Sequence, residues 1–429
     1  MSYNSIVDSV LKHDRYSRHS NTHHIVAEDT LPRIDQFASI FPYEIVEEIF
    51  LLCRTPLEWG PGTFDTLQHP PAAHLPLLLS QVSKTWREIV HATPALWTDV
   101  CIHGQASSQL HPEMLKQILR YSKNRPLTAC IIILGRGAEF IEWLDICMKE
   151  LFRYSDRIRS FRLLVRFGAT LWGEDVPIPH LPCLEEAMID PSDLSPVRLE
   201  PLFNSPRLQK LTWLSSHYPE PLLRMGAQIT ELRFKHGEYS YAQWAAILEV
   251  CPNLSHVAVI PIGPIPLAPS PPVCLRDLHT FRSTEAGLYM CTAPNVRYLT
   301  LQLHLGNSYD MIHTRFRQFL SLSPRIEYLQ IHLNRIFPHH LTQIILLTPC
   351  LATLKVTFGA APDASAFNEL FEMLSPNGAS TLALPRLRHL TLDVADNSRH
   401  LVYDAEKLLH MLESRCNPNS DPIWRTRLD

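Results

Sequence analysis

The first regular pattern of apolar and polar positions begins near residue 40. Ile45, Ile49 and Leu52 recur at intervals of three to four residues with acidic residues between them, which is the spacing of an amphipathic helix. Pro42 precedes them, and a first helical turn tolerates proline because its missing N–H group would have no partner there. The pattern therefore predicts a short helix over this segment.

A second helical period follows after residue 76. Its apolar members are Leu79, Val82, Trp86, Ile89 and Val90. A proline-containing and glycine-containing loop at about 54–76 separates the two periods and is long enough to be an insertion. Leu96 and Trp97 lie beyond a proline that ends the second helix and return to the core. These segments predict a compact all-helical module over residues 37–104, preceded by a mobile leader at 1–36 that has no sustained period.

The rest of the chain repeats the pattern P-x-Φ-x-x-Φ-x-Φ, where Φ is a large apolar residue. Ten segments match, three of them without the proline, and the Leu275 segment fits less well because Thr280 takes the last apolar place. Their first apolar residues, here called anchors, are Ile158, Leu184, Leu208, Ile229, Leu254, Leu275, Val296, Ile326, Leu351 and Leu387. The mean spacing is about 25 residues, within the range of roughly 20 to 29 typical of leucine-rich repeats.

The positions three and five places after each anchor alternate as the buried face of a strand should, and the linkers carry helical periods. One such unit cannot bury its apolar face alone, so we expect the units to stack. The sequence therefore predicts an α+β multi-domain chain. The helical module is followed by an α/β leucine-rich-repeat-like solenoid with a parallel sheet over residues 105–415, and by a tail at 416–429.

The strand positions between the two buried apolar residues should face away from the core. The candidate target-binding residues on and beside this row are Arg162, Arg166, Arg233, Lys235, His279, Gln302, His332 and Lys355. Arg162 and Arg166 belong to the one notable basic cluster. Their guanidinium groups either form scattered solvated ion pairs or hold an acidic or phosphorylated partner segment. No single charge or aromatic type dominates the row, so it leaves the chemistry of the ligand open.

Composition narrows the possible classes of function. The chain has 429 residues, 45% of them hydrophobic, and a formal net charge of −4. These values exclude an intrinsically disordered chain and argue against general nucleic-acid binding. No apolar run approaches the roughly 18 residues of a membrane span, and the first thirty residues lack the apolar region of a secretory signal. We therefore expect a cytoplasmic or nuclear protein with reduced thiols and with no nucleic-acid or membrane partner.

Motifs for catalysis or cofactor binding are weak. Gly135 and Gly137 follow a predicted strand as in a dinucleotide loop, but Phe140 stands where that loop requires a small residue. The 22 histidines form no H-E-x-x-H motif, and no serine or cysteine lies in a nucleophile motif. We predict no catalytic residue, no cofactor and no metal site. An enzyme of the hydrolase type that uses groups on the sheet is a minor alternative.

The helical segments resemble the F-box, and in particular the F-box-like proteins abundant in mushroom-forming fungi. The resemblance rests on residues 40–45 (IFPYEI), 79–89 (LSQVSKTWREI) and 93–97 (TPALW). Phe41 stands where the family usually has leucine before the proline. The resemblance implies a substrate-recognition subunit of an SCF-type cullin-RING ubiquitin ligase. In that role the F-box docks on a Skp-type adaptor, and the solenoid binds an unknown protein target.

The resemblance also assigns roles to residues of the module. It implies that the adaptor is bound by Phe41, Pro42, Glu44, Ile45, Ile49, Leu79 and Val82. It implies an F-box core formed by Trp86, Ile89, Leu96 and Trp97. Residues 37–104 contain seven acidic and three basic residues, so the module carries the whole net charge and the solenoid is nearly neutral. Two surfaces of different character favour two partners, and a protein-binding scaffold that acts outside ubiquitin ligases is the alternative.

Overall fold

The structure is a computed structural model. It describes residues 41–54, 75–104, 111–133, 138–165, 178–190, 196–215, 218–219, 222, 224, 226–234, 239–259, 272–303, 309–333, 344–359, 364–375, 384–394 and 404–415. The predicted leader at 1–36, the predicted tail at 416–429 and residues 55–74 of the predicted insertion lie outside the described residues.

Three helices and a short turn form the first part of the described chain. They are α1 (Tyr43–Leu52), α2 (Leu75–Val82), α3 (Lys84–Ala92) and a 3-10 turn (Pro94–Trp97). Pro42 is the N-cap residue of α1, and the Ser83 side chain caps α3 by accepting a hydrogen bond from the Trp86 N–H group at 3.2 Å. Ser83 suits the start of a helix because the first N–H groups have no partner inside the helix, whereas the Pro42 side chain makes no such bond.

The remainder consists of strands and helices, and not every pair of successive strands has a described helix between them. The strands are β1 (Asp99–Gly104), β2 (Leu127–Ile133), β3 (Ile158–Val165), β4 (Glu186–Asp190), β5 (Lys210–Trp213), β6 (Glu231–Phe234), β7 (His256–Ala258), β8 (Val273–Cys274), β9 (Thr280–Thr284), β10 (Cys291–Thr292), β11 (Tyr298–Leu303), β12 (Tyr328–Leu333), β13 (Thr353–Phe358) and β14 (His389–Val394). The helices are α4 (Pro112–Tyr121), α5 (Ala138–Phe152), α6 (Pro196–Phe203), α7 (Tyr241–Val250), α8 (Gly287–Met290), α9 (Tyr309–Ser321), α10 (Ala364–Leu374) and α11 (Ala405–Arg415).

Twelve of these strands form one parallel sheet in chain order, and β8 pairs only with β10. Each crossover therefore returns the chain to the same end of the sheet, which is the arrangement of a solenoid. The prediction of stacked α/β units with a parallel sheet is confirmed.

The turns before the strands show how closely the units stack. Nine backbone hydrogen bonds, each 2.8–2.9 Å long, form a series that links successive units. Each bond joins the residue that follows one anchor to the residue that follows the next anchor. The series runs through residues 159, 185, 209, 230, 255, 279, 297, 327, 352 and 388. Nine of the ten predicted anchors directly precede members of this series, so the repeat was located correctly at those nine.

The tenth anchor was wrong by three residues. Leu278, and not Leu275, directly precedes His279 in the series, and Phe281 takes the buried position three places on. The position five places on is Ser283, which is buried although it is small and polar. A Cβ atom at Gly287 of α8 would come within 2.7 Å of the Ser283 Cβ atom. The close approach of α8 therefore leaves no room for the large apolar residue that the pattern requires.

The helical segments and the sheet share one core. Buried side chains form a continuous cluster from Val46 in α1 to Met411 in α11. Strand β1 lies inside the range predicted to be all-helical, so the sheet begins at Asp99 and not after residue 104. Arg54, just after α1, forms a bidentate ion pair with Asp99 at 2.7 Å and donates to the Ala95 carbonyl at 3.0 Å. The prediction of a separate all-helical module is not confirmed.

Candidate functional site

The sheet has an inner face, which packs on the helices, and an outer face. One row of register partners crosses the whole outer face: Cys101, Cys130, Arg162, Met188, Thr212, Arg233, Ala258, Arg282, Thr300, Gln330, Lys355 and Thr391. The predicted row contained His279 in place of Arg282, and that placement is wrong. His279 precedes β9 because the anchor of its repeat lies three residues later than the pattern indicated.

The outer face of β1–β4, here called the covered region, is mostly closed to solvent, although the Glu186 side chain is 41% exposed. Cys101, Cys130, Met188 and Leu164 are all buried there. The Arg162 side chain is only 11% exposed and lies 3.8 Å from the Glu186 carboxylate. A hydrogen bond with the Cys130 thiol and burial together raise the pKa of the Cys101 thiol. Arg162 therefore lies in a buried environment and not on an exposed basic surface.

The outer face of β9 and β11–β14, here called the polar region, is accessible. Its side chains include Arg282, Tyr298, Thr300, Gln302, Tyr328, Gln330, His332, Lys355, Thr391 and Asp393, each of them exposed or half-buried. The rings of Tyr298 and Tyr328 are neighbours across β11 and β12, with centroids 6.1 Å apart, and Tyr298 is 50% exposed. The predicted residues Gln302, His332 and Lys355 thus lie together on one surface.

Three side chains of β12 form a hydrogen-bonded series along the polar region. The Tyr328 hydroxyl donates to Gln330 Oε1 at 3.0 Å, and Gln330 Nε2 lies 2.9 Å from His332 Nε2. These residues are two apart, so a strand places all three side chains on the same face. Because the amide nitrogen can only donate, His332 Nε2 accepts this bond as an unprotonated ring nitrogen.

A cavity of about 180 Å³ opens beside this series. It is lined by Arg282, Ser283, Thr300, Gln302 and His332. Burial, followed by the positive charges of Arg282 and Lys355, lowers the pKa of His332, and Asp393 opposes this effect. Lys355 pairs with Asp393 at 3.1 Å, whereas no carboxylate among the described residues pairs with Arg282. The site therefore presents one uncompensated guanidinium group beside a neutral imidazole.

The other predicted target-binding residues do not join this site. Arg233 is exposed on β6 and lies 3.7 Å from the Glu231 carboxylate, which also pairs with Lys210 at 3.0 Å. His279 is exposed in the turn before β9. Arg166 and Lys235 lie outside the described residues, as do Gly135 and Gly137 of the glycine-containing loop.

A second exposed surface lies on the first two helices. Helix α1 buries Val46 and Phe50. Ile45 and Leu52 lie on an adjacent, exposed side, with Ile45 46% and Leu52 82% exposed, and Ile49 is half-buried. On α2, Leu78 and Val82 are exposed one turn apart. We call Phe41, Tyr43, Ile45, Leu52, Leu78 and Val82 the apolar helix surface, since all six are exposed.

The remaining residues assigned to adaptor binding are exposed or half-buried, and those assigned to the F-box core are buried or half-buried. Pro42 and Glu44 are exposed at the start of α1, whereas Leu79 is half-buried against the core. Ile89, Leu96 and Trp97 are buried, and Trp97 Nε1 donates to the Val90 carbonyl at 2.8 Å. Trp86 is half-buried, and its ring centroid is 4.8 Å from that of Phe50.

Sequence reasoning missed several residues of both surfaces. Arg282 was missed because the pattern placed its repeat three residues early, and the poor fit at Thr280 was the signal that could have revealed the error. The apolar period of α1 includes Leu52 but does not predict whether it faces the core or the solvent, because the period alone does not tell which apolar row packs inward. Leu78 precedes the first residue of the second apolar period and was not considered.

The described residues were compared with the requirements of a metal site and of a membrane-spanning helix, and they meet neither. The described part of the chain contains no group of three or more His, Cys, Asp or Glu side chains arranged to hold a metal ion. Within the same residues, no helix combines the length and the apolar character needed to cross a bilayer. The nine described cysteines are free thiols.

The chain is similar to several solved structures, three of which are given below. No protein-family model matches the chain, and no curated protein matches it. A protein from Bacteroides fragilis aligns with a TM-score of 0.34 at 13% identity, over 49% of this chain and 64% of that one. The leucine-rich-repeat domain of APL1B aligns with a TM-score of 0.29 at 16% identity, over 71% of this chain and 78% of that one. TLR13, solved in complex with ssRNA13, aligns with a TM-score of 0.30 at 12% identity, over 68% of this chain and 42% of that one.

Proposed function

We propose that the chain is the substrate-recognition subunit of an SCF-type cullin-RING ubiquitin ligase. In this proposal the apolar helix surface docks on a Skp-type adaptor, and the outer face of the sheet binds a protein target. The observation that carries the proposal is the second apolar row of α1. Val46 and Phe50 already bury one side of this helix, so Ile45 and Leu52 are not needed for the core.

Exposed apolar residues at helical spacing are typical of a surface that receives another protein. On α1 and α2 they occur within the segments that resemble the F-box, and Glu44 adds an exposed negative charge at the start of α1. The residues that the resemblance assigns to adaptor binding and the residues that are exposed overlap at Phe41, Pro42, Glu44, Ile45 and Val82. This overlap supports the proposal, because the exposure of these side chains was not used to assign them.

The proposed mechanism needs no bond-making group in this chain. A receptor that holds a target close to a ubiquitin-loaded enzyme raises the effective concentration of the two reactants. The polar region supports the binding part of this role, because its accessible hydrogen-bonding groups are spread over five neighbouring strands. Such a role belongs in the cytosol or the nucleus, where cullin-RING ligases act.

The test is a binding measurement between the full chain and a purified Skp-type adaptor. We expect the wild-type chain to bind, and Ile45→Asp to weaken binding by at least about tenfold, because a buried carboxylate without a partner is costly at an interface. Leu322→Asp is the matched control, since Leu322 is 47% exposed at the end of α9, far along the chain from the helix surface. Equal melting temperatures would show that both variants fold.

The proposal is wrong if the wild-type chain does not bind the adaptor, or if Ile45→Asp binds as well as Leu322→Asp. A protein-binding scaffold that acts outside ubiquitin ligases is the second candidate. The accessibility of the polar region favours it, because that surface does not depend on the helices that would hold the adaptor. A chain that binds peptides through the polar region but does not bind the adaptor would support the scaffold.

A further inference from the structure

The cavity in the polar region is built mainly from groups that can donate hydrogen bonds. Arg282 supplies a guanidinium group, Thr300 a hydroxyl, and Gln302 an amide. No carboxylate belongs to the described lining of the cavity. A site that collects donors around one cation is suited to an anion, because each donor needs an acceptor when water is displaced.

The charge of the site indicates what kind of anion fits. The charges of Lys355 and Asp393 cancel, because the two groups pair at 3.1 Å. Among the described residues, the positive charge of Arg282 therefore has no such partner at the cavity. His332 is neutral while it accepts the Gln330 amide bond, so the cavity carries about one positive charge. One guanidinium group pairs well with one carboxylate, since its parallel N–H groups match the two oxygens.

The two tyrosines add a second feature at a defined distance. Tyr298 and Tyr328 lie two residues before Thr300 and Gln330 on the same face of their strands. Two residues along a strand correspond to about 7 Å. Side chains two apart in an extended peptide are separated by the same distance and point to the same side. A peptide running along the strands could therefore place one side chain in the cavity and another on the tyrosine rings.

We propose that the cavity binds the carboxylate of an aspartate or glutamate in an extended segment of the target protein, while an aromatic or aliphatic residue two positions away contacts Tyr298 and Tyr328. This inference rests on the target-binding role proposed for the sheet, and it names the chemistry of the target. Arg282 holds the carboxylate, Thr300 and Gln302 donate to it, and the tyrosine rings cover the neighbouring apolar side chain.

The proposal also predicts how binding depends on pH. Arg282 from β9 and Lys355 from β13 disfavour the imidazolium form of His332, and Asp393 from β14 favours it. A bound carboxylate adds a negative charge, which raises the pKa of His332, so binding takes up a proton. Affinity should therefore increase as the pH falls from 7.5 towards 6, where the peptide carboxylate stays ionised.

The test begins with a library of random peptides displayed on phage and selected against the full chain. We expect the selected peptides to be enriched in aspartate or glutamate two positions from an aromatic or aliphatic residue. Arg282→Gln should abolish this enrichment. Arg233→Gln is the matched control, because Arg233 is an exposed arginine on the outer face of β6, and it should leave the enrichment intact. The result overturns the proposal if wild type selects no acidic peptides, or if Arg282→Gln selects the same ones.

Three synthetic versions of a selected peptide then identify the anion. We expect the glutamate peptide to bind at least about tenfold more tightly than its glutamine counterpart, and Arg282→Gln to remove that difference. The increase in affinity at pH 6 should disappear in His332→Gln. A phosphoserine peptide that binds about tenfold more tightly than the glutamate peptide would overturn the carboxylate assignment. None of these measurements involves the adaptor, so their failure is distinct from a failure of adaptor binding.

Discussion

The covered region and the polar region are two parts of the same sheet with opposite properties. In β1–β4 the register row across the outer face holds Cys101, Cys130 and Met188, all buried. In β9 and β11–β14 the same register positions hold Arg282, Gln330 and Lys355, all accessible. The parallel pairing and the backbone hydrogen bonds between repeats continue through both. The backbone thus provides equivalent positions in both regions, and what covers each part of the outer face decides which of them meet solvent. The largely buried, charged side chain of Arg162 illustrates this.

The two regions also differ in their sequence patterns. The exposure of β11 alternates strictly, with Leu299, Leu301 and Leu303 buried between accessible residues. In β2, all residues from Ala129 to Ile133 are buried, which is typical of a strand covered on both faces. A continuous apolar run and an alternating one therefore mark, respectively, the structural and the candidate binding parts of the sheet.

The largest expected effect tests this contrast directly by placing a carboxylate on each part of the outer face. Leu164→Asp puts an unpaired charge in a buried position and should lower the free energy of unfolding by about 4 kcal/mol or more. Thr300→Asp puts the same charge in the polar region beside Arg282 and should change the free energy by less than about 0.5 kcal/mol. Urea unfolding of both variants measures the difference. Similar losses in the two variants would show that the two regions do not differ in solvation.

An intermediate effect is expected from the ion pairs of the two regions. Arg54→Met leaves Asp99, whose side chain is 6% exposed, without its bidentate partner, and should cost about 3 kcal/mol. Lys355→Met removes the partner of Asp393, whose side chain is 39% exposed, and should cost less than about 1 kcal/mol. The urea midpoints of these two variants provide the measurement. If Lys355→Met cost as much as Arg54→Met, the polar region would be less hydrated than its exposure indicates.

The smallest effect concerns His332 of the polar region and His91, a histidine of α3 outside both regions. Burial lowers the pKa of His91 in α3 and of His332 in β12, with further lowering by Arg87 at His91 and by Arg282 and Lys355 at His332. Since the unfolded chain has a histidine pKa near 6.5, the stabilisation by each neutral ring is complete above about pH 6.5. It is lost as the pH falls through the lowered value.

We therefore expect wild type to lose stability between pH 7.5 and pH 5.5, and His91→Gln and His332→Gln each to lose less. The measurement is the urea midpoint of each protein at the two pH values. Ring stacking on Tyr121, at 4.3 Å between centroids, makes His91→Gln destabilising at both pH values, so only the difference between them is informative. An unchanged pH dependence in both variants would contradict the lowered pKa values.

Sequence predicted the repeat well because its signal is periodic and local. Each anchor and the apolar residues after it are fixed by burial within their own unit, so nine of ten anchors could be placed without a structure. Leu278 could not be placed, because Ser283 replaces the usual large residue where α8 approaches closely. That approach involves a neighbouring element, and no pattern within the strand encodes it.

The candidate site was harder to predict for a related reason. Gln302, His332 and Lys355 could be named from their strand positions, but their grouping with Arg282 depends on the register between β9 and β11. The burial of Arg162 depends on what covers β1–β4, which strand periodicity does not describe. Residues whose position depends on one strand or helix were thus predicted. Residues whose environment depends on two or more elements were not.

The bonds that join the turns before the strands act only between adjacent units. Each unit offers one carbonyl to the unit after it, and in most units two consecutive amides donate to the carbonyl of the unit before. The described sheet ends at β14, and no described strand pairs with its far edge. Gene duplication could therefore lengthen the molecule there without disturbing earlier contacts, and each added unit would bring two or three new outward side chains.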